Sequence, residues 1–303
     1  MTLFERFQSV FRTNRVDVRE RFEILRRGIS GTMSKFYMAR DRKSDQIVGL
    51  KIADREKVTA FESRFKGLRK PSEGEIAAAL HHPLVVETYE YGMTTEGVQY
   101  IVMEYINGPG LHQVLKERNP VIEGRRAELI RQMAEAVQYV HSQDLIHRDV
   151  CPRNFIYDTE SGNLKLIDFG LSLPARRAFM QPGNRTGTPL FMAPEVIRRR
   201  WTDQRLDIFA MGVSAYQICT YELPWPVTEI TGQAALAHDT QEPRDICHYR
   251  PTLDKQLAKA IMRCIEPNPN DRPQTVDSFL RAIRSVKSDD EEPSHPPKRG
   301  GVV

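Results

Sequence analysis

Between Phe22 and Tyr105 the apolar positions come in short runs broken by turn residues: Phe22 to Leu25, Phe36 to Ala39, Ile47 to Ile52, Val85 to Tyr91 and Val98 to Tyr105. Runs of that length and alternation put successive side chains on opposite faces of a strand, so this stretch predicts a small sheet. A polar helical stretch leading into Ala77 to Leu80 supplies one helix to cover it. After Asn107-Gly108-Pro109-Gly110 the period changes. Ala127 to His141, Asp207 to Tyr221, Leu253 to Cys264 and Val276 to Val286 carry apolar residues at helical spacing, which predicts a second, mainly helical part.

The two ends read differently. Leu3, Phe4, Phe7, Val10 and Phe11 recur at helical spacing, with Arg6, Arg12, Arg15, Arg19 and Arg21 among and after them. This predicts a short amphipathic helix over residues 1 to about 20 that packs on the domain or docks to a membrane surface or partner. From Ser288-Asp289-Asp290-Glu291-Glu292-Pro293 onward there is almost nothing to bury, and a disordered tail is expected. The expected organisation is an extension over 1–21, a sheet part over 22–106, a helical part over 107–287 and a tail over 288–303.

Composition narrows the picture only modestly. A chain of 303 residues, 40% hydrophobic and 28% charged, can bury a sizeable core as one large domain or two lobes. Its 44 basic and 40 acidic residues are spread along the chain, so charge argues for neither nucleic acid nor strong membrane attraction. Cys151, Cys219, Cys247 and Cys264 form no C-x-x-C pair, which fits a reducing compartment and makes zinc an unfavoured reading. With no charged-then-apolar opening, a cytoplasmic location is expected. The longest apolar run, Ile208 to Cys219, is too short to cross a bilayer and is interrupted by Ser214 and Gln217, so no transmembrane segment is expected. Nothing in the pattern sets an oligomeric state.

The chemistry lies in His147-Arg148-Asp149, in Asn154 five positions after that aspartate, and in Asp168-Phe169-Gly170. One acid able to receive a hydroxyl proton, with an amide and a second acid able to hold metal on phosphate oxygens, are the parts phosphoryl transfer needs. The neutral oxygen of Asn154 and the charged oxygens of Asp168 suit magnesium, a hard cation that keeps waters and is shared with phosphates.

Together with Val48-Gly49-Leu50-Lys51 before them, and Thr186-Gly187-Thr188-Pro189, Met192-Ala193-Pro194-Glu195, Asp207 and Asn270-Asp271-Arg272-Pro273 after them, these motifs resemble the eukaryotic-type (Hanks-type) protein kinase family, serine/threonine branch, from about Phe22 to about Lys287. The resemblance implies an α+β, bilobal kinase-like fold, a small antiparallel sheet lobe with one helix and a larger helical lobe, with ATP between them. It implies that Lys51 meets the α- and β-phosphates and is aimed by Glu73, that Asp149 is the base, and that Asn154 and Asp168 hold magnesium. It makes Glu195 and Arg272 an architectural pair and Asp207 the support of the catalytic-loop backbone. At the adenine it places Met103 behind the ring, the Glu104 and Ile106 backbone at its edge, Phe36 above and Ile156 below. The function so implied is magnesium-dependent transfer of the ATP γ-phosphate to serine or threonine of protein substrates; Arg148, Arg176, Arg177 and Arg185, near Thr186 and Ser172, add the expectation that phosphorylation of the activation segment at Thr186 regulates it. A non-catalytic nucleotide-binding scaffold and a small-molecule kinase stand as alternatives.

The pattern departs from that family in three places. The three glycines of its phosphate loop fall on Ile29, Gly31 and Ser34, so only Gly31 matches, with Gly28 one place early. The usual roof valine is Phe36 and the usual alanine before the lysine is Gly49, a larger residue above and a smaller one beside, which predicts a reshaped but open adenine pocket. Cys151 stands where serine/threonine members carry a lysine for the γ-phosphate, and Arg153 is expected to supply that cation from another direction.

Overall fold

Alternation along the first part builds the sheet that carries the lysine. In the computed structural model, which describes residues 15–31, 33–226 and 237–290, strands β1 (Phe22–Ser30), β2 (Ser34–Asp41), β3 (Gln46–Ala53), β4 (Thr88–Met93) and β5 (Gln99–Glu104) form one antiparallel sheet in the order β1-β2-β3-β5-β4. Val48 and Leu50 point to one face and are buried with Phe22, Ala39, Tyr100 and Val102. The period of two then sends Gly49 and Lys51 to the other face, where Lys51 pairs in register with Phe36. The helix Glu73–Ala78 lies against β4, opened by a capping box in which Ser72 and Glu75 satisfy each other's backbone amides.

The helical part forms around Arg126–Ser142 and Arg205–Thr220. The second of these is buried on nearly every side and packs against Lys255–Cys264, while Val276–Ala282 packs on the first. Two-stranded pairs, β6 (Leu145–Ile146) with β9 (Leu173–Pro174) and β7 (Phe155–Tyr157) with β8 (Leu164–Leu166), brace the loops between them. The whole is the expected α+β architecture of a sheet lobe on a helical lobe. No helix among the described residues is long and apolar enough to cross a membrane.

Most of the predicted amphipathic helix, residues 1–14, lies outside the described residues; of the rest, only Val18–Arg21 is helical, capped by Asp17. This segment packs on the sheet: Val16 bridges to Thr94, and Arg21 pairs with buried Asp41 and Glu90 at 2.7 Å each. Of the expected tail, Ser288, Asp289 and Asp290 are described. Asp289 is buried and accepts from the Ala127 amide at 2.9 Å, and Asp290 holds the Arg250 guanidinium through both oxygens. A composition rule sees four consecutive acids; two of them find unpaired donors at the start of a helix and on a neighbouring arginine. Residues 291–303 lie outside the described residues.

Candidate active site

Lys51 is buried, and its Nζ bonds to Glu73 of the helix Glu73–Ala78 and, at 2.9 Å, to Asp168 Oδ1. Burial alone would pull its pKa down, but the two carboxylates outweigh burial and carry it well above the ordinary value, so Lys51 is a fixed cation. The carboxylates divide. Burial raises Glu73 despite Lys51, whereas Lys51 and the Gly170 amide at 3.0 Å overcome burial at Asp168 and keep it ionised. Glu73 also accepts from the Phe169 amide at 3.3 Å, so one helix position locks the lysine and the Asp168-Phe169-Gly170 turn together. Phe169 is buried edge-on to His147, centroids 5.3 Å apart, which anchors that turn from beneath.

The second group is built on the catalytic loop. Asn154 donates through Nδ2 to the Asp149 carbonyl at 2.7 Å and to Asp149 Oδ2 at 3.0 Å. Asp149 Oδ1 takes the Thr188 amide at 2.8 Å and the Thr188 hydroxyl at 2.7 Å. The loop's own backbone is held by Asp207, fully buried, which accepts from the His147 amide at 2.8 Å, the Arg148 amide at 2.7 Å and His141 Nε2 at 2.8 Å. These donors hold Asp207 below the usual carboxylate range against the upward push of burial. The Ile167 amide donates to the Asn154 carbonyl at 2.8 Å, and this link, with the β7/β8 pairing, sets Asn154 beside Asp168.

Two oxygens in this arrangement have no donor among the described residues, Asn154 Oδ1 and Asp168 Oδ2. One neutral and one charged oxygen, from neighbouring loops, fit a magnesium ion that fills its remaining positions with water and phosphate.

At the expected adenine site, Met103 is buried and Phe36 and Ile156 are half-buried. The Glu104 amide donates to the Glu87 carbonyl and its carboxylate accepts from Lys165 and the Glu87 amide, so the edge-facing N–H left without an acceptor among the described residues is that of Ile106. The volume exchange read from sequence has a direct counterpart. A Cβ on Gly49 would sit 2.9 Å from Phe36 Cε2 and 3.0 Å from Met103 Cγ, so the Phe36 ring occupies the space an alanine would need. Gly49→Ala is therefore expected to push the ring toward the purine and weaken ATP binding by about fivefold, roughly 1 kcal/mol. Calorimetric titration checks this, and equal or tighter binding would contradict it.

In the phosphate loop the glycine the backbone requires is Gly28, not Gly31. A Cβ there would lie 1.4 Å from the Phe36 carbonyl oxygen, where β1 and β2 change register, while Gly31 is exposed and turns back to Ser34 at 2.8 Å. The signal was one glycine out of place, and only the strand crossing gives it meaning. Arg153 is exposed, and its guanidinium has no hydrogen-bond or ion-pair partner among the described residues. Cys151 is buried beside Thr188, Sγ to Oγ1 3.6 Å, and burial with the Asp149 charge pushes the thiol up to about 12, so the place of the missing lysine is filled by a neutral group. Sequence reading missed Arg64 and Asn184, which meet Arg148 in the activation segment; residues so far apart in sequence leave no local pattern.

The family model for the protein kinase domain matches residues 27–282. The chain belongs to that family. The kinase domain is 30% identical over 279 residues to the serine/threonine-protein kinase pkn3 of Myxococcus xanthus, covering 89% of this chain and 50% of that protein. It is 30% identical over 258 residues to the serine/threonine-protein kinase PknB of Mycolicibacterium smegmatis, covering 81% and 40%, and 33% identical over 274 residues to the CBL-interacting protein kinase 25 of rice, covering 84% and 50%. The chain thus spans about half the length of the curated relatives it matches. The kinase domain's outermost supports follow the expected pairing: Arg272 and Glu195 are buried together, bonded twice at 2.8 Å.

Proposed function

We propose that this kinase domain transfers the γ-phosphate of ATP to serine and threonine hydroxyls of protein substrates. The observation that carries the reading is the junction at Asn154, which is hydrogen-bonded to Asp149 on one side and set beside Asp168, bound to Lys51, on the other. An acceptor alcohol at Asp149 and a nucleotide phosphate at Lys51 would then lie next to each other. Lys51 would hold the α- and β-phosphates, and Glu73 keeps its ammonium aimed. Magnesium, when bound by Asn154 Oδ1 and Asp168 Oδ2, supplies charge neutralisation on the phosphate oxygens. Asp149 orients the acceptor hydroxyl; as the new oxygen–phosphorus bond forms and the bond to ADP breaks, the hydroxyl proton passes to its carboxylate. Thr188, bonded to Asp149 through both amide and hydroxyl, supports a serine/threonine acceptor platform, and the names of the relatives agree with it.

One observation favours the scaffold alternative: the position of the family's γ-phosphate lysine is held by Cys151, a neutral group beside Thr188. Incubation with ATP, magnesium and a mixture of protein acceptors separates the two. Phosphate transfer supports the enzyme, whereas magnesium-dependent thermal stabilisation by ATP without transfer supports the scaffold.

The activation segment supports control by phosphorylation at Thr186. Arg148 is buried, with Nε and Nη1 unpartnered among the described residues, its Nη2 donates to the Asn184 carbonyl at 3.0 Å, and burial pushes its pKa down to about 10. Arg64 reaches the Asn184 side chain at 3.4 Å, and the Thr186 hydroxyl is 3.3 Å from the same oxygen. A phosphate on Thr186 would give these guanidiniums an anion. Ser172, fully buried and bonded to the His147 carbonyl, is not placed for that role. Phosphatase treatment of active protein is expected to lower kcat/KM about tenfold, roughly 1.4 kcal/mol, and Thr186→Ala to abolish the response. Equal activity before and after treatment, with phosphate loss confirmed by mass spectrometry, would contradict it.

A further inference from the structure

Exposed arginines stand in the catalytic loop and in the activation segment of this site. Arg153 stands in the catalytic loop, four residues after Asp149 and next to Asn154, exposed, its guanidinium without a hydrogen-bond or ion-pair partner among the described residues. Its charge, with that of Lys116, bears on exposed His112 across the loop. The second concentration is in the activation segment. Between Asp168 and Asp203 the chain carries six arginines and a single acid, Glu195, and that acid is buried against Arg272. Arg199 and Arg200 are exposed and their guanidiniums make no hydrogen bond or ion pair among the described residues, and Arg177 lies over the half-exposed ring of Trp201 at 5.2 Å. The Thr202 amide reaches the Met180 carbonyl at 3.4 Å, so the two ends of the segment are clasped around the Thr188 platform. The four-residue helix Pro194–Ile197 between that platform and Arg199 rises only about 6 Å.

Exposed guanidiniums such as those of Arg153, Arg199 and Arg200 repel one another and add little to stability, but they raise the local concentration of an oppositely charged ligand. The chain as a whole is nearly balanced, so this is a local field and not a basic protein. We propose that the domain selects acceptor segments with acidic side chains close to the phosphorylated hydroxyl, read at short range by Arg153 and attracted by the Arg177, Arg199 and Arg200 face. This rests on the serine/threonine kinase reading above and names its substrate class. It also gives Arg153 a role different from that of a cation on the γ-phosphate, and the two can be told apart.

The test uses three peptides of equal length, each with one serine, flanked by Asp/Glu, by Ala/Gly or by Lys/Arg. Because an exposed ion pair contributes at most about fivefold, two or more such contacts are expected to give the acidic peptide about tenfold higher kcat/KM than the neutral one, and the basic peptide less than either. The advantage should shrink as salt rises toward 1 M, where screening reaches about 3 Å. Arg153→Glu should cut the acidic-to-neutral ratio at least fivefold, and the double variant Arg199→Glu, Arg200→Glu should cut it further, both through KM. Equal use of the three peptides by an active enzyme would overturn the proposal and leave the kinase reading standing. A fall in kcat by the same factor on all three peptides in Arg153→Glu would overturn it too, placing the guanidinium on the transferring phosphate. Transfer to no peptide and no protein would remove the kinase reading and this proposal together.

Discussion

Asp149→Asn is expected to lower kcat for phosphoryl transfer by about a hundred- to ten-thousandfold, the range that a positioned proton acceptor supplies. The amide is nearly the same shape, so the bonds from Asn154 at Oδ2 and from Thr188 at Oδ1 can be partly kept, and the loop remains anchored through Asp207. What disappears is the negative charge that draws the acceptor hydroxyl and takes its proton. The loss should therefore fall on kcat, with the ATP KM changed by less than about threefold, because Lys51 and Asp168 are untouched. Steady-state kinetics of the purified variant beside wild type check this. A variant retaining more than about a tenth of wild-type kcat would assign Asp149 to support of the loop and not to the chemistry.

Arg272 makes the second large prediction, this time for stability. Its guanidinium is fully buried, bonded twice to Glu195 at 2.8 Å, donating to the Glu266, Pro267 and Arg205 carbonyls and lying 4.8 Å from the Phe209 ring centre. Glu195→Ala removes the counter-charge and leaves a buried cation among carbonyls, which costs about 3–5 kcal/mol. The pair ties the segment after the Thr188 platform to the loop that follows Lys255–Cys264, so the loss should appear as a lower urea midpoint with the slope little changed. Glu195→Leu combined with Arg272→Met should cost less than the sum of the two single changes, since no charge is left unpaired. A loss below about 1 kcal/mol in Glu195→Ala would give the pair only the worth of an exposed one.

How much of this was readable beforehand depends on how far each contact reaches along the chain. The sheet lobe and the long helices follow from local periodicity, and Lys51, Asp149, Asn154 and Asp168 are marked by spacing within short motifs. Met103 and Phe36 were placed at the adenine by the family resemblance, and in the sheet they pair in register with Gly49 and Lys51 of β3. Three things were not readable because they depend on what another segment brings. Gly28 matters only because the Phe36 carbonyl crosses it, Asn184 only because Arg148 and Arg64 arrive there, and Asp289 only because the Ala127 amide is open at a helix start. The case of Asp289 shows why low apolar content is a weak guide to where order ends. A polar side chain can be held by an unfilled hydrogen bond as firmly as an apolar one by a cavity.

The central claim is that Lys51, Asp168, Asn154 and Asp149 together move a terminal phosphate from nucleotide to an aliphatic hydroxyl. Its most direct measurement is incubation of the purified domain with γ-labelled ATP and an acidic serine/threonine substrate, with magnesium and with excess chelator, followed by mapping of the labelled residue by mass spectrometry. The account predicts label on serine or threonine only when magnesium is present, and none above background with Asp149→Asn. Label on tyrosine, label of equal extent in the presence of chelator, or label unchanged in the variant would contradict it.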